Sequence, residues 1–276
     1  LMFKQILNGN EIIGSYNLGL VFLSYFIAAF ASYTALDLAM RIGESHGKPK
    51  NLWVGGCAFA MGGGIWAMHF TGMLAFKLPI AVSYDVKVTI FSFLFAIFAS
   101  GLAFFYVSQK NNTYIRVFLG GSFMGVGVGI MHYSGMQAMI FSGSMYYKPI
   151  YFSASILIAI AASTVALSLI IYFEKNEEED SYRYKVFASL IMGLAVSGMH
   201  YTGMKATVFI SHVTNTDLIE NTATTPLLVF SILGIIMLIL VLAIIASKTQ
   251  GEFNHLELKK NELEVLVQKR TEELKA

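Results

Sequence analysis

"MHFTGM" occupies Met68–Met73, "MHYSGM" Met131–Met136 and "MHYTGM" Met199–Met204. Each copy lies in an apolar stretch, where a histidine normally faces the interior of a helix bundle and has a partner. The likeness extends beyond six residues. A Met-Gly pair begins eight residues before each histidine, at Met61, Met124 and Met192. The preceding stretch carries "AS", two residues and "A" at 31–35, 99–103 and 162–166. The repeating unit is a helical hairpin, and its period is 63 and then 68 residues between the histidines at 69, 132 and 200.

Composition points to a membrane protein. The 276 residues are 56% hydrophobic and only 13% charged, against about 25% charged in a soluble domain. The net charge of +2 and the lack of a basic tract exclude a nucleic-acid partner. Cys57 is the one cysteine, so there is neither an internal disulfide nor a cysteine-rich metal motif. It lies about 120° round the helix from His69, which argues for a small buried apolar residue rather than a ligand.

A helix needs about 20 apolar residues to cross the hydrocarbon core. Seven stretches qualify, near 16–40, 52–76, 86–108, 115–141, 151–173, 185–210 and 226–247. The expected fold is all-α and integral to the membrane, with three two-helix repeats followed by a seventh helix. With the N-terminus outside, inner loops receive Arg41, Lys48, Lys50, Lys110, Arg116, Lys175, Arg183, Lys185 and Lys248. Outer loops then receive Lys4, Lys77, Lys87, Lys148 and Lys205. Nine against five favours N-out and C-in. Residues 1–11 then form an extracytoplasmic segment and 12–248 the membrane domain. Asp37 and Arg41, four residues apart, are expected to pair near the inner surface. Lys77 and Lys205 are expected to snorkel outward.

Residues 249–276 change character. Phe253, Leu256, Leu263, Val267 and Leu274 follow an a/d pattern broken by Lys260 and Arg270. A cytoplasmic coiled coil that pairs two chains into a homodimer is expected there, leading into an output domain.

Each repeat has two spans, so His69, His132 and His200 all lie on even-numbered helices that run the same way. They share one depth, about 4–8 Å outward of the span centres at 1.5 Å per residue, in a repeat arranged about the membrane normal. Three histidines at one level, on parallel helices, can aim at a common axis and hold a metal. Met73, Met136 and Met204 follow their histidine by four and share its face. Met68, Met131 and Met199 precede it by one. Thioethers beside imidazoles favour copper, especially Cu(I). Zinc ranks second, since it more often recruits cysteine or carboxylate. The next residue is Phe70, Tyr133 or Tyr201, so a phenol ligand is not required of every unit. Thr71, Ser134 and Thr202 most simply bond the carbonyl four residues back. Gly72, Gly135 and Gly203 suit close helix packing.

These motifs resemble the MHYT domain, a bacterial seven-span sensor module. Met199-His200-Tyr201-Thr202 matches its tetrapeptide literally. Met131-His132-Tyr133-Ser134 and Met68-His69-Phe70-Thr71 match closely, and "SYTALDLA" at 32–39 is also similar. The resemblance covers 12–248. It implies a sensor in the bacterial cytoplasmic membrane without catalysis of its own. One or two copper ions, Cu(I) or Cu(II), would be held by His and Met. The signal would be a diatomic gas (O2, CO or NO), or a redox or metal state. Diguanylate cyclase, phosphodiesterase or histidine kinase domains would follow the last span.

Three other readings compete. A seven-span zinc hydrolase would cast Ser32 and Asp37 with the histidines, but Asp37 belongs near the inner face and no general base stands beside the histidine layer. Haem would leave the third histidine surplus. A copper conduit should offer ligands at several depths, whereas the motifs form essentially one layer. His46, His212 and His255 fall in loops or the tail, and only His212, at the outer end of the sixth span, suggests a metal route.

Overall fold

The computed structural model describes residues 10–44, 48–108, 114–175, 181–211 and 224–273. His46, His212 and the first nine residues lie outside them, as does the side chain of His255. Seven long helices dominate: α1 Leu18–Glu44, α2 Lys48–Ala75, α3 Val86–Val107, α4 Tyr114–Gln137, α5 Pro149–Lys175, α6 Ser181–Ala206 and α7 Thr224–Glu273. A long apolar segment becomes helical because a helix satisfies its own backbone donors and acceptors where water is absent.

Six of these helices, all but α2, are long and apolar enough to cross a membrane. Their outward faces carry Phe22, Phe26, Phe98, Phe118, Leu157 and Leu194, all exposed, the surface of a multi-pass membrane bundle. The expectation of seven apolar spans thus meets one exception. α2 is 28 residues long, but its glycines, Trp66 and His69 dilute its hydropathy. From Cys57 onward it is almost wholly buried, and a helix enclosed by other helices has no need of a lipid-like surface.

Consecutive helices from α1 to α6 pack side by side, and α6 returns to α1, closing a ring of six. α2, α4 and α6 also meet one another in the middle. Repeat-equivalent positions make the close approaches. A Cβ at Gly64 of α2 would overlap Ala31 of α1, and one at Gly127 of α4 would overlap Ala99 of α3. Ala31 and Ala99 of the first two "AS" motifs therefore seat in glycine notches, which let the backbones approach. α7 stands outside the ring against α1 and α2 and continues as one helix well past the apolar segment.

Among the described residues seven short strands cap the end where the even helices finish, an addition to the all-α expectation. They are β1 Asn10–Ile12, β2 Ser15–Tyr16, β3 Phe76–Lys77, β4 Ser83–Tyr84, β5 Met139–Ile140, β6 Gly143–Tyr147 and β7 Thr207–Ser211. The strand before each odd helix pairs antiparallel with the strand after the following even helix: β2 with β3, β4 with β5, β6 with β7. β1 adds to β7. Each hairpin is further tied by one amide: Asn17 N–H to Ala75 O at 2.8 Å, Asp85 to Ala138 at 2.8 Å, Lys148 to Ala206 at 2.7 Å. Two-residue strands show no alternation in sequence. The helices expected over 115–141 and 185–210 stop early, at Gln137 and Ala206, where the chain passes into the two-residue β5 and the five-residue β7.

At the opposite end Asp37 accepts from Arg41 at 3.2 Å, as expected, and from Lys185 of α6 at 3.0 Å. Arg41 also donates to the Ala246 carbonyl of α7 and lies 5.5 Å from the Trp53 ring centre. One buried guanidinium thus joins α1, α2 and α7.

Candidate metal centre

The ring brings His69, His132 and His200 together, each with no exposed surface. Their Nδ1 atoms form a triangle. His69 to His132 is 3.1 Å, His69 to His200 is 3.1 Å, and His132 to His200 is 3.4 Å. The ring planes stand 78–86° apart, so the imidazoles are arranged as a propeller.

The outer nitrogens point away from this centre. His69 Nε2 lies against Gly135 of α4, His132 Nε2 against Gly203 of α6, and His200 Nε2 against Gly72 of α2. A Cβ at any of the three would overlap the ring. Each motif glycine is thus the cradle for the histidine of a neighbouring repeat, in cyclic order. None of the three Nε2 atoms has a hydrogen-bond partner. Hence Nδ1 is the nitrogen available to a shared ligand.

Three neutral imidazoles cannot satisfy this triangle by themselves. A neutral ring nitrogen is either a donor or an acceptor. Around three mutually touching nitrogens the roles cannot alternate, so at least one contact sets like against like. A cation at the centre would accept all three lone pairs. With metal–nitrogen bonds of about 2.0 Å, three ligands sit about 3.3–3.5 Å apart, close to the observed triangle. The donor set therefore fits a metal. Among the described residues no carboxylate joins the cluster. Burying a divalent charge among neutral ligands is far more costly than burying a monovalent one, so this donor set suits a singly charged ion.

The remaining motif residues separate in space. Met68, Met73, Met131, Met136, Met199 and Met204 are all buried in the core. Met199 lines a small internal cavity, on the side of the triangle away from the strands, with Met61, Met124 and Met192. Met204 lines an outer pocket of about 370 Å³ with Tyr16, Phe76, Tyr201 and Lys205. There, burial and the nearby Tyr201 phenol push the Tyr16 phenol up to about 12.

The motif phenols are bonded to odd helices. Tyr201 OH meets Ser24 Oγ at 2.9 Å and Tyr133 OH meets Ser155 Oγ at 2.7 Å. Ser24, Ser92 and Ser155 are equivalent, each seven residues before the "AS" alanine. In the first repeat Phe70 lacks the hydroxyl, and Ser92 instead accepts from Trp66 Nε1 at 3.1 Å. Trp66 packs on Phe70, centres 4.7 Å apart, and Phe70 on His69 at 4.8 Å. Sequence reading missed this substitution, although the equivalence of the three serines could have shown it. Thr71 Oγ1 donates to Ala67 O at 2.7 Å and Ser134 Oγ to Met131 O at 3.1 Å, the structural role expected of them. Cys57 is buried and faces the Ala35 carbonyl.

The residues cast for a hydrolase do not join the histidines. Asp37 is engaged by Arg41 and Lys185, and Ser32 is buried in α1.

Comparison with known proteins accords with this geometry. Residues 62–120 and 125–178 match the MHYT family, described as a bacterial signalling protein N-terminal repeat. The chain is 44% identical over 72% of its length to the bifunctional diguanylate cyclase/cyclic di-GMP phosphodiesterase MucR of Pseudomonas aeruginosa, covering 29% of that protein. It is 41% identical over 70% of its length to the cyclic di-GMP phosphodiesterase NbdA of the same organism, covering 25% of it. With the signalling protein YkoW of Bacillus subtilis it shares 38% identity over 72% of its length, covering 25% of that chain. It thus spans less than a third of each of these relatives. No solved structure matches it. The chain carries an MHYT domain, and His69 and His132, two of the three histidines that meet at the centre of this bundle, lie in the matched repeats.

Proposed function

We propose that this chain is the sensor part of a bacterial membrane signalling protein and that it holds copper at the Nδ1 atoms of His69, His132 and His200. The observation that carries the reading is the Nδ1 triangle, whose sides of 3.1–3.4 Å match three ligands of one ion. Thioethers of Met73, Met136 and Met204, or of Met68, Met131 and Met199, would complete the set. Copper so held supplies a soft, redox-active centre that binds O2, CO or NO. The protein's own contribution is to exclude water, hold each imidazole against a glycine of another repeat and present three nitrogens at one point. The three closely packed rings and their glycine cradles leave no slot for a porphyrin, and the absence of a carboxylate from the cluster among the described residues counts against a zinc hydrolase.

In this reading α2 is the seventh span, the N-terminus lies outside and the C-terminus in the cytoplasm. α7 would carry the change at the centre to a coiled-coil dimer and an output domain, which by likeness to MucR and NbdA would make or degrade cyclic di-GMP. α7 touches α2, the helix of His69, and a small shift in one packed helix can be passed to its neighbour when the bundle has two packings.

The test is metal content by mass spectrometry on detergent-purified protein. Wild type is compared with a variant carrying His69→Ala, His132→Ala and His200→Ala. Copper in the wild type and none at this site in the variant is the expected result. Zinc instead would return the hydrolase reading, and no metal after copper-replete expression would leave the histidines as packing residues.

A further inference from the structure

We infer that the bundle contains a second soft-metal site, for a monovalent ion of the Cu(I) class, formed by the thioethers of Met61, Met124 and Met192. These are the Met-Gly methionines, one per repeat. At eight residues before the histidines they lie about 12 Å further in.

The three side chains come from α2, α4 and α6 and line one internal cavity of about 20 Å³. Ile65, Val128 and Val196, four residues before each histidine, line the same space. The cavity therefore follows the repeat symmetry of the histidine triangle. Ala159, Ala162, Ser163 and Ala166 of α5 close one side of it. On that side the third repeat has Ala195 where the others have the notch glycines Gly64 and Gly127.

A void of about 10–15 Å³ holds one water if it offers two to four polar partners. Here the lining offers one hydroxyl, Ser163, among apolar side chains. Water is a poor occupant. The three thioethers are by contrast the donor set that selects Cu(I) over harder ions. No charged group lines the space, which again favours one positive charge over two. The histidine centre and this site are separate, so the inference does not need copper at the histidines.

The experiment uses the whole chain in lipid nanodiscs, loaded anaerobically with Cu(I) or, as a redox-inert soft probe, Ag(I). Bound ions are counted after desalting, and the ligand shell is read by X-ray absorption. One variant carries Met61→Leu, Met124→Leu and Met192→Leu, substitutions that nearly conserve volume. The other carries the three His→Ala changes. Two ions in the wild type, one in each variant, and a sulfur-only shell in the histidine variant are expected. Loss of the single ion from the methionine variant, with the histidine variant still loaded, would uphold this site while removing the histidine reading. An unchanged ion count in the methionine variant would overturn the inference, as would an empty but folded histidine variant. Should the triple methionine variant fail to fold, Met124→Leu alone must weaken Ag(I) binding at least tenfold in the histidine variant; unchanged affinity overturns the site.

Discussion

His69 lies over Gly135 of α4 so closely that a Cβ at that glycine would overlap Nε2. The same relationship links His132 to Gly203 and His200 to Gly72. Each motif copy therefore holds a ligand of its own and cradles the ligand of another. Gly135→Ala should displace the His69 ring, cost about 1–3 kcal/mol as overpacking does and empty the histidine centre. Gly198→Ala, where a Cβ meets nothing within 4 Å, should be neutral or slightly stabilising. Thermal unfolding in detergent, with ions counted on both variants, decides; a Gly135→Ala protein that binds as many ions as the wild type would refute the cradle.

The histidine triangle also predicts cooperativity among its members. A copper ion held by three nitrogens should raise the melting temperature of the wild type, because a ligand that binds only the folded state stabilises it. His132→Ala alone should lower affinity by more than about 100-fold, the upper end of what losing a mere supporting residue costs. It should also shrink the thermal shift to what the separate methionine site contributes. A shift of undiminished size in that variant would mean that the ion binds elsewhere.

The phenols serve packing rather than ligation. Tyr201→Phe removes the contact with Ser24 and should cost about 0.5–1.5 kcal/mol, the net worth of a hydrogen bond. Metal content should stay at the wild-type level. A fall in copper on this substitution would assign the phenol to the metal instead.

At the other end of the bundle, Arg41 ties α1 to the Ala246 carbonyl of α7 and to Asp37. Arg41→Ala leaves Asp37 with Lys185 and frees α7 from the ring. Hydrogen exchange at residues 240–248 should quicken while metal content remains unchanged. Identical exchange in wild type and variant would deny Arg41 its role as the tie.

The heptads are testable in the same terms. Leu263, Leu266 and Val267 stand exposed on the single chain, although the helix there is continuous to Glu273. A cysteine at position 263 should cross-link two chains on mild oxidation if these residues form a parallel seam. Monomer alone under those conditions would place the dimer contact elsewhere or nowhere.

Much of this protein was legible from its sequence. Three copies of one phrase, spaced by two spans, put His69, His132 and His200 at one depth, because parity fixes helix direction and period fixes height. The Asp37–Arg41 pair followed from spacing on one helix face. Other features were decided by tertiary structure alone: Nδ1 rather than Nε2 at the centre, the cyclic seating of each ring on another repeat's glycine, and Trp66 standing in for a phenol at Ser92. The same holds for the paired strands, the place of α7 and the meeting of Met61, Met124 and Met192. The physical reason is common to them all. Height along a helix is written in local spacing, whereas these contacts depend on how one helix is rotated and seated against another, and that is set only when the six-helix ring closes.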